Sequence, residues 1–187
     1  MTGGVVFDAL GTLLDLGRAA GGAELSRTLH HAASLTLIGE YAPLAEIARA
    51  VDQRLPEQIE SAEPYDDAAE ALEVLADAGI PAYVLTNGAA EALPNGPLAR
   101  LKDVISVEDV RRFKPDPAPY AHAARVIGVA PNQLFFVTAH GWDVLGAANA
   151  GYRAVWVQRG EWSQPVPPPH LRAPSLAAAA RLVVARS

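Results

Sequence analysis

The sequence predicts an α/β fold, a Rossmann-like doubly wound parallel sheet with a small helical segment inserted after the first strand. Two observations predict this class. From residue 65 onward, short apolar runs alternate with segments of helical length, which is typical of parallel sheets with right-handed crossovers. Before residue 65, apolar residues recur at helical spacing, and we recognise no strand there after the first one.

The amino-acid composition excludes several classes of protein function. The chain has 187 residues, of which 50% are apolar, enough for one core with a small insertion. It contains no cysteine, which excludes disulfides, a thiolate nucleophile and a cysteine metal site. A net charge of −6 argues against nucleic acid as a partner. Because no apolar run has membrane-spanning length and no signal-peptide pattern opens the chain, we expect a soluble, cytoplasmic protein that meets no membrane.

The first strand is predicted at residues 5–7, and it ends at Asp8. Gly11 allows a sharp turn directly afterwards, and Thr12 brings a hydroxyl close to the carboxylate. An isolated Asp at such a place more often serves only to open a turn. The rest of the chain therefore decides whether Asp8 is functional.

Helical spacing then runs from residue 19 to residue 55, broken at Gly39 and Pro43, with a second helix predicted over 44–55. A polar stretch, residues 57–63, follows between two prolines. Further helices are predicted at 66–78, 117–127, 142–150 and 176–185. Further strands are predicted at 81–85, 104–107, 134–137 and 154–157. Residues 89–101 form a broken helix or loop, interrupted at 94–97, and residues 165–169 a loop.

Polar residues follow three of the predicted strands directly: Asp8, then Thr86 with Asn87, then residues 138–140. Because parallel strands end at one edge of a sheet, we expect these groups to share a crevice, with Lys114 arriving from the loop before a helix. A carboxylate can then act as a nucleophile.

The neighbouring residues suit that role. Lys114 would lower the pKa of Asp8, and hydroxyl and amide groups would orient a substrate anion. Asp143 would either hold Lys114 or align a water molecule. Each residue alone also has an ordinary structural explanation, such as a surface lysine, or an acid at a helix start that complements the helix dipole. It is their joint order and spacing that favours a catalytic site.

Four segments together resemble the motifs of the haloacid dehalogenase superfamily. They are residues 7–13 (Phe-Asp-Ala-Leu-Gly-Thr-Leu), 85–88 (Leu-Thr-Asn-Gly), 114–120 (Lys-Pro-Asp-Pro-Ala-Pro-Tyr) and 137–143 (Val-Thr-Ala-His-Gly-Trp-Asp). The resemblance spans about residues 4–159 and is strongest to the L-2-haloacid dehalogenase branch. It implies a core formed by residues 1–15 and 65–187 and a helical cap formed by residues 16–64.

Two positions distinguish the branches of this superfamily. Its phosphatases carry a second Asp two residues after the nucleophile, where this chain has Leu10, and a magnesium-binding acid where it has Ala139. A halide leaves without a proton, whereas an alkoxide leaving group needs one. The resemblance therefore favours displacement of a halide from a small 2-haloacid, and it implies no metal and no cofactor.

By resemblance, Asp8 attacks the carbon that bears the halogen, with inversion, and water then cleaves the ester. The catalytic residues that the resemblance implies are Asp8, Thr12, Lys114, Thr138, His140 and Asp143. The substrate-binding residues that it implies are Ala9, Leu10, Thr86, Asn87, Tyr120 and Trp142. The partner is a small-molecule acid, and relatives are often homodimers.

The chain also departs from the family pattern. Family members place an Arg early in the first cap helix to receive the halide, but the matching position here is Leu25, with Arg18 and Arg27 nearby. His140 stands where Asn is usual, and the cap is shorter by roughly one helix pair. Two alternatives stay open: a phosphohydrolase of the same superfamily, and a binding or regulatory protein with weakened catalysis.

Overall fold

The computed structural model describes residues 3–16, 22–90, 98–159 and 165–187. Six parallel strands form one sheet. Their bounds are β1 Gly4–Phe7, β4 Ala82–Thr86, β5 Asp103–Ser106, β6 Leu134–Thr138, β7 Arg153–Val157 and β8 Leu171–Ala173. Across the sheet they lie in the order β5-β4-β1-β6-β7-β8. The helices are α1 Gly22–Ile38, α2 Leu44–Val51, α3 Leu55–Glu60, α4 Ala68–Asp77, α5 Pro117–Ile127, α6 Gly141–Asn149 and α7 Leu176–Val184.

Strand β1 is central because it pairs with β4 on one side and β6 on the other. Its side chains alternate between the two faces of the sheet. Val5 and Phe7 belong to the apolar cluster that includes α4 and α7, whereas Val6 belongs to the cluster that includes α5 and α6. Each is fully buried, and burying a side chain of this size contributes about 1.5–3 kcal/mol. The predicted doubly wound sheet is therefore confirmed.

The strand order reverses at β1, since the chain winds through β4 and β5 on one side and through β6 to β8 on the other. In open α/β sheets this reversal leaves a crevice at the carboxyl ends of the strands. The crevice accordingly lies where β1, β4 and β6 end, at residues 7, 86 and 138.

The structure corrects four details of the predicted elements. Leu14–Asp15 (β2) and Glu63–Pro64 (β3) form a short antiparallel pair that was not predicted. Helix α2 ends at Val51, and part of the stretch expected to be a polar connection forms α3, because proline is tolerated in a first helical turn. Strand β8 has three residues and lies at the sheet edge, too short to show an alternating pattern.

Helices α1, α2 and α3 lie between β2 and β3, so the helical segment enters and leaves the core at adjacent points. The amide of Tyr65 donates to the carbonyl of Leu13 at 2.9 Å and continues this junction. The division into a core and a cap stays a prediction. The interruption predicted at residues 94–97 lies outside the described residues. No helix in the described part of the chain is long and apolar enough to cross a membrane.

Candidate active site

Asp8 lies directly after β1, at the reversal of the strand order. Its backbone N–H donates to the carbonyl of Val137 in β6 at 3.0 Å, which extends the pairing of the two strands by one residue. The chain then turns at Gly11, whose φ of +78° favours glycine. The carbonyl of Ala9 closes this turn by accepting the amides of Thr12 and Leu13 at 3.2 and 2.9 Å. The carboxylate is thus fixed by backbone geometry.

Lys114 reaches this carboxylate from the loop before α5. Its Nζ donates to Asp8 Oδ1 at 2.7 Å, to Asp143 Oδ2 at 3.0 Å and to the carbonyl of Leu85 at 2.9 Å. An ammonium has three donors, so all of them are used. Asp116 holds the loop in place because its side chain caps α5 by accepting the amide of Ala118 at 2.8 Å.

The charges of this cluster determine its protonation. Burial alone would raise the pKa of Asp8, but electrostatic interactions with Lys114 and His140 and the hydrogen bonds that it accepts lower the pKa below its usual range. Burial would lower the pKa of Lys114, yet Asp143 and Asp8 raise it. Asp8 is therefore held as a carboxylate and Lys114 as an ammonium, as the sequence predicted.

Thr12 connects the first motif to the fourth. Its buried hydroxyl donates to Asp8 Oδ2 at 2.7 Å and accepts the backbone N–H of Ala139 at 2.9 Å. Because the Ala139 N–H can only donate, the Thr12 proton is directed at the carboxylate. The hydroxyl therefore orients one oxygen of Asp8 while Lys114 holds the other.

Asp143 has no exposed side-chain surface, and both of its oxygens are engaged. Oδ2 accepts from Lys114, and Oδ1 accepts the hydroxyl of Tyr120 at 2.5 Å. Burial raises the pKa of Asp143, and so does the charge of Asp8, whereas Lys114 opposes this rise. Of the two roles considered from the sequence, holding Lys114 is the one that this geometry supports.

Tyr120 is placed differently from the expectation. It was predicted to bind substrate, but its side chain is fully buried behind Asp143, packed edge-on against Phe136 and Tyr152. Burial and the neighbouring Asp143 raise the pKa of Tyr120 well above its usual value, so the phenol stays a donor. The Ala9 side chain, also predicted to bind substrate, is buried in the apolar core.

Asp8 opens onto a narrow cavity. Its lining consists of Asp8, Leu10, Leu29, Thr86, Asn87, His140 and Trp142. Of the six neighbours of Asp8 in this lining, five were predicted as catalytic or substrate-binding residues: Leu10, Thr86, Asn87, His140 and Trp142. Leu29, on α1, carried only a helix-periodicity signal in the sequence.

Thr86 and Asn87 present hydrogen-bond donors to the cavity. Asn87 Oδ1 accepts the backbone N–H of Lys114 at 3.0 Å, which leaves the NH₂ group of Asn87 as the end that can meet a ligand. The Thr86 oxygen accepts the amide of Gly88 at 3.0 Å, so its own proton can be donated elsewhere. This pair suits a carboxylate.

His140 forms the opposite wall. Its Nε2 lies 2.7 Å from the carbonyl of Leu10 and 3.5 Å from Asp8 Oδ2, so Nε2 carries a proton that the carbonyl accepts. The ring stacks on Trp142 at 5.1 Å between centroids. Thr138 does not line the cavity; its hydroxyl accepts the amide of His140 at 3.1 Å and positions that turn.

Neither of the two arginines considered for halide binding is found at the cavity in the described part of the chain. Arg27 is exposed and pairs with Glu24 at 2.6 Å, and Arg18 lies outside the described residues. Leu25, at the matching position, is fully buried. Within the described ranges, no arginine lines the cavity beside Asp8, and no group of three or more histidine and acidic side chains is placed to hold a metal.

Comparison with known proteins places these features in context. Residues 2–151 match the family model of the haloacid dehalogenase-like hydrolases. The chain is 32% identical to (S)-2-haloacid dehalogenase 4A of Burkholderia cepacia over 82% of each chain. It is 33% identical to (S)-2-haloacid dehalogenase 1 of Pseudomonas sp. (strain CBS-3), over 82% of this chain and 83% of the relative. L-2-haloacid dehalogenase from Xanthobacter autotrophicus, solved with chloropropionic acid covalently bound, superposes with a TM-score of 0.86, 27% identity and 100% coverage of both chains.

Proposed function

Because the chain belongs to the haloacid dehalogenase-like hydrolase family, we propose that it hydrolyses the carbon–halogen bond of a small 2-haloacid through an ester formed on Asp8. One observation carries the proposal. The Asp8 carboxylate, which has a lowered pKa and is held by Lys114 and Thr12, opens onto a cavity. Two residues after Asp8 in the sequence, this cavity is lined by Leu10 and not by an acid. Such a site can attack carbon but offers no proton donor at that position.

The first step needs an ionised nucleophile and no acid. A lone pair of Asp8 attacks C2 of the substrate from the side opposite the halogen, the C–O bond forms, and the C–X bond breaks. The halide leaves with the electron pair, and C2 inverts. Lys114 and Thr12 keep the carboxylate charged and hold its plane, so that the reacting oxygen is already oriented before the substrate arrives.

Thr86 and Asn87 are the proposed receptors of the substrate carboxylate. Both lie at the end of β4, next to the strand that carries Asp8, and both line the cavity with donors left over. Both donors are neutral, so they can bind the substrate carboxylate without placing a second cation beside Asp8. A second cation would make the Asp8 carboxylate less nucleophilic. They would also orient C2 toward the nucleophile.

In the second step water attacks the carbonyl carbon of the ester. The new bond joins the water oxygen to Cγ of Asp8, and the bond breaks between Cγ and the ester oxygen, the former carboxylate oxygen of Asp8 that is now bonded to C2. One proton of the water passes to the leaving 2-hydroxy acid, the other is released to solvent, and the Asp8 carboxylate is restored. Lys114 faces one of the carboxyl oxygens at 2.7 Å and would stabilise the negative charge that develops there.

The helices between β2 and β3 act as the cap in this proposal. Leu29 of α1 closes the cavity over Asp8 and excludes water from one side. On the resemblance, the same proposal includes a core of residues 1–15 and 65–187, a cap of residues 16–64 and a homodimer. A cytoplasmic location belongs to it on the sequence alone.

The test is chloride release from (S)-2-chloropropionate, with phosphate release from p-nitrophenyl phosphate measured in parallel, with and without Mg²⁺. We expect halide release that does not require the metal and that Asp8→Asn abolishes. Asp77→Asn, an exposed acid on α4, is the matched control and should retain full activity. Halide release that survives in Asp8→Asn, or phosphate release dependent on Mg²⁺, contradicts the proposal. A folded protein that turns over neither substrate favours the binding-protein alternative.

A further inference from the structure

A second, larger opening lies beside the cavity of the nucleophile. This groove has a volume of about 570 Å³, within the range of small-molecule sites, about 300–1,000 Å³. One wall is the face of α1 that carries Leu29 and Ala33, and the other is the start of α6, with Trp142 and Leu145. Most of this lining is apolar.

The groove continues from the reactive cavity. Leu29, His140 and Trp142 line both of them, so the two openings meet at these side chains. The cavity at Asp8 has a volume of only about 10 Å³, roughly the space of one water molecule. Any 2-haloacid is larger than one water molecule, so part of the substrate lies beyond this cavity, and the groove provides room for it.

We propose that the groove binds an apolar side chain at C2 of the substrate, so that the enzyme prefers 2-haloacids with longer alkyl or aryl chains over 2-chloropropionate. The inference rests on the proposed function and names its substrate class. With the carboxylate at Thr86 and Asn87 and C2 at Asp8, the side chain leaves the cavity past Trp142. It then lies between Ala33 and Leu145.

A small-molecule side chain suits this groove better than a second copy of the chain. An interface between copies would use the most exposed apolar side chains of α1. These are Leu37 and Ile38, which are 87% and 71% exposed, and neither lines the groove; on the other side, Val166, 80% exposed, lies at its rim. The groove instead begins at the cavity that contains Asp8, as expected for a site that holds part of the substrate. A docked protein surface would make no use of the nucleophile.

The first test compares (S)-2-chlorohexanoate with (S)-2-chloropropionate by chloride release. Each buried methylene raises kcat/KM by up to about fourfold, so three added methylenes give at most about a 60-fold preference. We expect the longer acid to be preferred by tenfold or more. Equal or poorer turnover of the longer acid overturns the inference while leaving the proposed function intact. No chloride release from either acid overturns the proposed function itself.

The second test fills the groove. Ala33→Trp places an indole between α1 and α6, and Ala50→Trp makes the same change at an exposed position of α2. We expect Ala33→Trp to lower the ratio of kcat/KM for the two acids by tenfold or more, and Ala50→Trp to leave the ratio unchanged. An unchanged ratio in Ala33→Trp overturns the inference. A change of sedimentation in that variant with an unchanged ratio assigns the groove to contacts between copies.

Calorimetry with hexanoate and propionate, which carry no halogen, gives a readout independent of turnover. We expect hexanoate to bind the unmodified protein at least tenfold more tightly than propionate, and this difference to disappear in Ala33→Trp. Equal affinity for the two acids in the unmodified protein contradicts the inference.

Discussion

Replacing Lys114 with methionine removes the ammonium that lies between two buried carboxylates. Asp8 and Asp143 would lose their shared partner at 2.7 and 3.0 Å and would repel each other across the vacated position. Methionine has a similar length and no charge, so the packing of the site changes little. The variant therefore isolates the electrostatic contribution of Lys114.

The expected shift follows from Coulomb's law. At about 4 Å and an effective dielectric constant of about 20, opposite charges attract by about 4 kcal/mol. Water that enters the variant reduces this effect but does not cancel it, so we expect the pKa of Asp8 to rise. Asp8 attacks only when it is ionised. As the pH falls, Lys114→Met should therefore lose activity at a higher pH than the unmodified protein does.

The assay is the pH dependence of kcat/KM for chloride release, with Lys102→Met as the matched control. Lys102 is the other lysine of the chain and is exposed. We expect the acidic limb to move up by about 1–3 pH units in Lys114→Met and to stay in place in the control. An unmoved acidic limb, with kcat/KM within about threefold of the unmodified protein, refutes the role given to Lys114.

Stability gives an independent measurement. Removing one partner of a buried ion pair costs about 3–5 kcal/mol, because an uncompensated charge stays behind. Neutralising the second carboxylate in the double variant Lys114→Met with Asp143→Asn should recover at least about 1 kcal/mol of the free energy of unfolding. Additive effects of the two changes would mean that Asp143 does not interact with Lys114 in solution.

Three further variants test neighbouring features. Thr12→Val leaves the buried N–H of Ala139 without its acceptor, so we expect a loss of about 1–3 kcal/mol in urea unfolding and a lower kcat, both restored by Thr12→Ser. Asn87→Ser removes donors for the substrate carboxylate, and a rise in KM of about tenfold with a small change in kcat is expected; an unchanged KM excludes this contact. In Gly146→Ala the new Cβ would lie against the ring of Tyr120, with a ring carbon 2.9 Å away, which should cost about 1–3 kcal/mol in thermal unfolding.

The sequence predicted the crevice well, and the reason is topological. Parallel strands end at the same edge of the sheet. The residues that follow β1, β4 and β6 therefore lie close together, regardless of how the helices between these strands pack. Asp8, Asn87 and His140 are brought together in this way. The sequence placed Lys114 in the loop before a helix, and in the structure the Asp116 cap and Pro117 fix the start of that helix, α5.

Other features could not be read from the chain. Tyr120 was expected to contact the substrate because it belongs to one of the four motifs. A motif does not tell how deeply a side chain is buried, and the packing of the core places Tyr120 behind Asp143. Leu29 looked like any apolar residue on a helix, since helical spacing does not tell which neighbour the face meets. Strand β8 and the pair β2–β3 are too short to show a period.

The origin of the oxygen in the product tests the central claim most directly. With enzyme in excess over (S)-2-chloropropionate in ¹⁸O-labelled water, a single turnover should give 2-hydroxypropionate whose new oxygen is unlabelled, because it comes from Asp8. The label should then appear in the peptide that contains Asp8. Labelled product after the first turnover, with no label in Asp8, would mean that water attacks C2 directly and would contradict the ester mechanism.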